Sequence, residues 1–277
     1  MKVAGRTHKL TFGKQSIGAM AARCIKVALL TVAAVSLMTS AVTAASDSLA
    51  NLGGTTAAAP GPPTGYFRYV RTTLRAHGKP EVLFIGTEGD GWSAAERWPV
   101  VKALGQFGTW SNLGMASSVN GPTANDNFGK VVTFDWLHAR FRSRYVAFVH
   151  KDVVDVNNHP LEKLSSREQA LLHRYAPLND PTTSALWPLV MVGGYAMHGT
   201  AVPPGEFQDN ALHQYSFQTV QGALQRGLAS YDPLGRLTND INTETNVITA
   251  LICHANGLRP AKACGRPVIK AILRHVK

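Results

Sequence analysis

Val82 to Ile85 is an unbroken apolar run ending at Gly86, which suits a strand buried on both faces in the middle of an α/β sheet. The period then changes. Trp98, Val101, Leu104 and Phe107 recur at spacings of three and predict a helix, from about Ser93, that lies on the sheet by an apolar stripe. Ser93-Ala94-Ala95-Glu96 is a capping-box pattern at its start, with Asp90 as the other candidate cap. Pro99 predicts a local kink.

Two further strands are predicted at 131–136 (VVTFDW) and 144–153 (RYVAFVHKDV). A second capping box, Ser165-Ser166-Arg167-Glu168, opens a helix to about Tyr175. LVMVGGYAMHG, residues 189–199, reads as a hairpin turning at Gly193-Gly194. The remainder is mostly helical, near 215–228, 240–256 and 266–276. This order predicts an α/β or α+β domain, a mixed sheet flanked by helices.

Charge changes the picture at the N-terminus. The 277-residue chain carries a formal charge of +11, at first sight a nucleic-acid signal. Six cations and no carboxylate fall within residues 1–45; without those, 22 Lys and Arg stand against 17 Asp and Glu, a net +5 without a basic run. The expectation is therefore no nucleic-acid partner. The basic start leads into VALLTVAAVSLM at 27–38 and then TSAVTAAS. That layout predicts either a signal peptide cut after Ala44 or Ala45, or an anchor retained through the uncharged residues 27–46. Translation from Met1 or from Met20 fits either reading. Both readings export the rest, so residues 46–277 are expected outside the cytoplasm, secreted or held at a membrane. Residues 46–65, small and rich in Gly, Pro and Ala, read as a flexible tether, and 66–277 as the globular domain.

Cysteine usage agrees with export. Cys24 precedes the apolar segment, leaving Cys253 and Cys264 in the exported part. A pair in an oxidising compartment predicts a disulfide, the turn at Asn256-Gly257 and Pro260 folding the chain back between them. A redox dithiol is the rival reading, without C-x-x-C spacing. Ten histidines are scattered, with no H-E-x-x-H pattern, and no metal or other cofactor is expected. Whether His150, His198 and His254 meet is left open. Ser93 lacks a G-x-S-x-G elbow and reads as a cap rather than a nucleophile. Glu88 and Asp90 read as a turn residue and a cap rather than a catalytic pair.

The stretch PEVLFIGTEGDGWSAAERWPVVKALGQFGTWSNL, with LEKLSSREQALLHRY, WPLVMVGGYAMHG and TNVITALICHANGLRPAKAC, resembles an exported thioredoxin-like family, domain of unknown function 929. The resemblance implies a thioredoxin-like fold with a helical insertion and C-terminal helices. It also implies a cis-proline at Pro188, after Trp187, facing the first strand-to-helix turn. Family members typically carry C-P-Y-C at that turn. Here the positions hold Asp90, Gly91, Trp92 and Ser93, which cannot form or exchange a disulfide. The expectation is a redox-inactive relative with no catalytic residue, whose former active face, with Trp92 and Trp187, binds an extracytoplasmic protein or peptide. The alternative is a thiol-disulfide oxidoreductase working through Cys253 and Cys264.

Overall fold

A computed structural model describes residues 49–53, 66–119, 130–176, 187–205, 209–227 and 231–277. The expected leader at 1–45 lies outside the described residues, as does most of the expected tether. Among the described residues no helix is long and apolar enough to cross a membrane.

The strands are β1 (Arg68–Tyr69), β2 (Arg75–Ala76), β3 (Lys79–Gly86), β4 (Thr109–Ser111), β5 (Gly114–Ser117), β6 (Val132–Asp135), β7 (Arg140–Arg142), β8 (Ala147–Asp152), β9 (Leu189–Val192) and β10 (Tyr195–His198). The helices are α1 (Gly91–Leu104), α2 (Ser166–Tyr175), α3 (Phe217–Arg226), α4 (Pro233–Ala255), α5 (Ala261–Cys264) and α6 (Pro267–Leu273). β3 is the central strand. It runs parallel to β8, with Phe84 opposite His150, and antiparallel to β9, with Ile85 opposite Leu189. β9 and β10 form a hairpin, and β1 adds to β10. β2 pairs with the first two residues of β3.

The pleat of β3 sorts its side chains into two cores, because successive residues face opposite sides. Val82 and Phe84 join Val190, Val192, α1 and α4 in the larger core; Leu83 and Ile85 join Leu189, Met191 and Leu171 of α2 in the smaller. The unbroken apolar run at 82–85 is thus explained by helices on both faces. At the hairpin tip Gly193 has φ +59°, and a Cβ there would lie 2.7 Å from the Leu251 carbonyl of α4. Only glycine meets both demands.

The predicted apolar stripe of the first helix is corrected. Thirteen of the fourteen residues of α1 are buried, including Glu96, Arg97 and Lys102, because α4 and β6 pack against it in addition to the sheet. The predicted capping box at its start is also corrected: Asp90 is the N-cap, accepting from the Ser93 amide at 2.6 Å. The second box forms as expected, Ser165 and Glu168 each bonding the other's backbone amide. The helix expected near 240 begins seven residues earlier, where Asp232 caps it and Pro233 occupies the first turn. The strand expected at 131–136 forms as β6; its partner β5, and the pair β4 with β7, were not legible in the sequence, being short and mostly half-exposed. Of the expected tether, residues 49–53 are packed rather than free. Leu52 is buried, Lys102 Nζ donates to the Leu52 and Gly53 carbonyls, and Gln221 and Gln225 donate to those of Leu49 and Asn51.

Candidate functional site

The turn from β3 into α1 is built by short side chains that satisfy one another. Asp90 donates its amide to Thr87 Oγ1, and Ser93 Oγ accepts from the Thr87 amide at 3.3 Å. A Cβ on Gly86 would come within 2.8 Å of Ser93 Oγ, so the absence of a side chain lets Ser93 sit beneath the strand end. The outer side is held by the chain after β8: Glu88 donates its amide to the Val154 carbonyl and Val153 donates to that of Gly86. Asp90 places a carboxylate at the helix N-terminus, where the free amides and dipole favour negative charge. Ser93 is fully buried.

Below the turn lies a buried polar network of a kind that the sequence reading did not single out. Arg97 Nη2 donates to Asp152 Oδ1 at 2.8 Å and to the Thr87 carbonyl, while Nη1 donates to that of Phe134. Trp136 Nε1 donates to the other Asp152 oxygen at 3.0 Å, and the Arg97 guanidinium stacks over the Trp136 ring. Glu162 accepts from the Asp152 amide and from Lys151 Nζ. Glu88, at the rim, has its carboxyl pKa raised by burial first and then by the charge of Asp152. The one available signal was a charged residue in each predicted element, Arg97 and Asp152; nothing in the sequence paired them.

A second buried pair sits between α1 and α4. Glu96 accepts from Thr200 Oγ1 at 2.8 Å, while its Oε1 and the Oε1 of Glu244 are buried without a hydrogen-bond partner. Burial pushes the Glu244 carboxyl up to about 8. Glu96 is raised well above the ordinary carboxylate range by burial and then by Glu244, with the Thr200 hydrogen bond opposing.

The remaining expected residues fall as follows. The Trp187–Pro188 peptide is cis and Pro188 directly precedes β9. Since Ile85 is opposite Leu189, the antiparallel register carries Pro188 to the Gly86 end of β3, the end that leads into the Asp90 turn. Trp92 is exposed at 42%. Trp187 is half-buried and packs with the smaller core; no ring contact joins the two indoles. His150 is on β8, half-buried and stacked against Phe148, its pKa lowered mainly by burial. His198 ends β10, three strands away and so about 14 Å distant, and His254 is exposed in the last turn of α4. Among the described residues no group of His, Cys, Asp or Glu is arranged to hold a metal ion.

Cys253 and Cys264 form a disulfide, with Cα atoms 5.6 Å apart. Both sulfur-bearing residues are buried, at 0% and 5% exposure, remote in sequence from the turn. The turn therefore offers a bound carboxylate, a hydrogen-bonded hydroxyl and one exposed indole.

Compared with curated proteins and with solved structures, the chain finds no significant match in either set. Residues 66–254 match the family model described as a domain of unknown function, DUF929, and spanning well over half of the chain, the match makes this protein a member of that family.

Proposed function

We propose that this protein is an extracytoplasmic thioredoxin-like binding module. It keeps the scaffold of a thiol-disulfide oxidoreductase without its dithiol, and it holds a protein or peptide against the face made by Asp90, Gly91, Trp92 and Pro188. The observation that carries the reading is Trp92, an indole 42% exposed in the first turn of a helix otherwise buried. Trp is enriched among the residues that dominate binding energy at interfaces.

The sheet order supports the scaffold half of the proposal. A strand leading into a helix, a parallel neighbour, then an antiparallel hairpin beginning at a cis-proline is the arrangement that the family resemblance implies. Asp90 and Ser93 take the places of the two thiols, and neither can carry electrons. The buried Cys253–Cys264 pair supports a structural rather than a redox role, since exchange needs an accessible sulfur. Export rests on the basic and apolar residues 1–45.

The test is affinity capture from the envelope fraction of the source cells with the wild-type chain and Trp92→Ala. The expected result is a partner retained by the wild type and lost, by at least tenfold, in the variant, with unchanged thermal stability. Equal capture by both proteins would defeat the reading. An insulin-reduction assay separates the oxidoreductase alternative: turnover abolished by Cys264→Ser would replace binding with catalysis.

A further inference from the structure

At the far end of β3 from the Asp90 turn, roughly 23 Å along the strand, the surface opens into a cavity of about 490 Å³. Its lining includes Arg75, Lys79, Arg144, Tyr145, Asn256 and Arg259, and no carboxylate. Three arginines and one lysine therefore border one space. Among the described residues none of the four forms an ion pair. The carboxylate nearest in sequence, Glu81, is taken by Arg167.

Several of these groups are fixed in place while keeping donors free. Arg75 Nη2 donates to the Gly78 carbonyl and Lys79 Nζ to that of Ser143; a guanidinium has five N–H donors and an ammonium three, so most remain available. Arg144 lies over the ring of its neighbour Tyr145. Arg259 is held through its backbone, its amide donating to Asn256 Oδ1 at 3.0 Å and its carbonyl accepting from Asn256 Nδ2 at 2.5 Å. The loop bearing Asn256 and Arg259 is closed by the Cys253–Cys264 disulfide, which holds it beside the N-terminal end of β3.

We infer that this pocket is an anion site for a phosphoryl group, with Arg75 and Lys79 tethered to backbone carbonyls, Arg144 laid over Tyr145 and Arg259 carried on the disulfide-closed loop. Uncompensated like charges around one cavity repel one another and raise the local concentration of anions. Three guanidinium forks suit the oxygen geometry of phosphate, which two of them can grip bidentately. A cavity of this volume belongs to the size class of small-molecule sites. The phosphoryl group comes either from a soluble phosphate ester or from a lipid headgroup. The site is separate from the proposed peptide face and stands or falls without it.

The test titrates the full-length chain with inorganic pyrophosphate by calorimetry at low ionic strength. In parallel, co-sedimentation is measured with phosphatidylcholine vesicles with and without phosphatidylglycerol. Arg144→Glu with Arg259→Glu is compared with a control reversing equal charge on exposed residues elsewhere, Arg174→Glu with Arg226→Glu. The expected result is pyrophosphate binding, or a phosphatidylglycerol-dependent gain in sedimentation, weakened at least tenfold by the pocket pair and less than twofold by the control. Arg144→Gln with Arg259→Gln reproduces the loss if the reversed pair misfolds. A vesicle gain that the pocket pair abolishes assigns the headgroup as source; pyrophosphate binding without such a pocket-dependent gain assigns a soluble ester. A vesicle gain that the pocket pair leaves intact, without pyrophosphate binding, overturns the inference. Absence of both, or an equal loss in the control, overturns the inference.

Discussion

Arg97 and Asp152 meet at 2.8 Å beneath the strand-to-helix turn, with side chains exposed at only 2% and 1%. The pair ties α1 to the end of β8, and through the Thr87 carbonyl to the turn itself. Its position makes it the support on which the shape of the candidate face depends.

Removing one member leaves the other charge buried and uncompensated. Arg97→Met is expected to cost about 3–5 kcal/mol of stability, read as a shift in urea midpoint at constant slope. Asp152→Asn, which keeps the Trp136 hydrogen bond within reach, is expected to cost less than Arg97→Met. A loss below 1 kcal/mol for Arg97→Met would mean that the pair is weaker than its geometry indicates.

Asp90 acts through a backbone amide rather than through chemistry. Asp90→Ala is expected to lower stability by about 1 kcal/mol and Asp90→Asn by much less, since Asn caps nearly as well. Thermal unfolding of the two variants distinguishes capping from a charge effect, for which Asn would be as damaging as Ala.

Should the turn have the geometry of a dithiol site, Asp90→Cys combined with Ser93→Cys is expected to yield a disulfide on oxidation, visible as loss of two titratable thiols. Thiols that stay unpaired under oxidant would count against the thioredoxin-like alignment at these two positions.

The Glu96–Glu244 pair makes stability depend on pH with a definite sign. Both carboxyls have folded pKa values above the ordinary value of 4.5, Glu244 up to about 8, so between those limits the folded chain binds more protons than the unfolded. Their contribution is therefore fully present below about pH 4.5 and is lost as pH rises towards 8. Asp240, raised to about 6 chiefly by burial, adds to the same decline. Lys102, lowered to about 7 by burial and then by Arg266, works the other way between about 7 and its ordinary 10.5. Thermal midpoints measured from pH 4.5 to 8 should fall less steeply in Glu244→Gln than in the wild type. Parallel curves would place the proton elsewhere.

The disulfide closes a short loop between the end of α4 and α5. Cys253→Ser with Cys264→Ser is expected to cost about 2–4 kcal/mol, and the intact bond to resist reductant until the chain unfolds. Rapid reduction under native conditions, followed by mass labelling, would show that the sulfurs are reached more easily than their burial implies.

The sequence by itself determined the elements whose signals are local. The run at Val82–Ile85, the box at Ser165 and Glu168, and Gly193-Gly194 between two apolar strands each state their structure within a few residues, because capping, turn geometry and period are short-range. The pairing of Cys253 with Cys264 was also legible, these being the only two cysteines in residues 46–277, and the absence of a thiol at positions 90 and 93 was visible by inspection. Tertiary structure decided the rest. Whether Glu96 caps a helix or faces Glu244, which carboxylate meets Arg97, and that Arg75, Arg144 and Arg259 share one cavity are relations between residues far apart in the chain. A charge's partner and its burial are set by which surfaces pack together, and no local pattern carries that information.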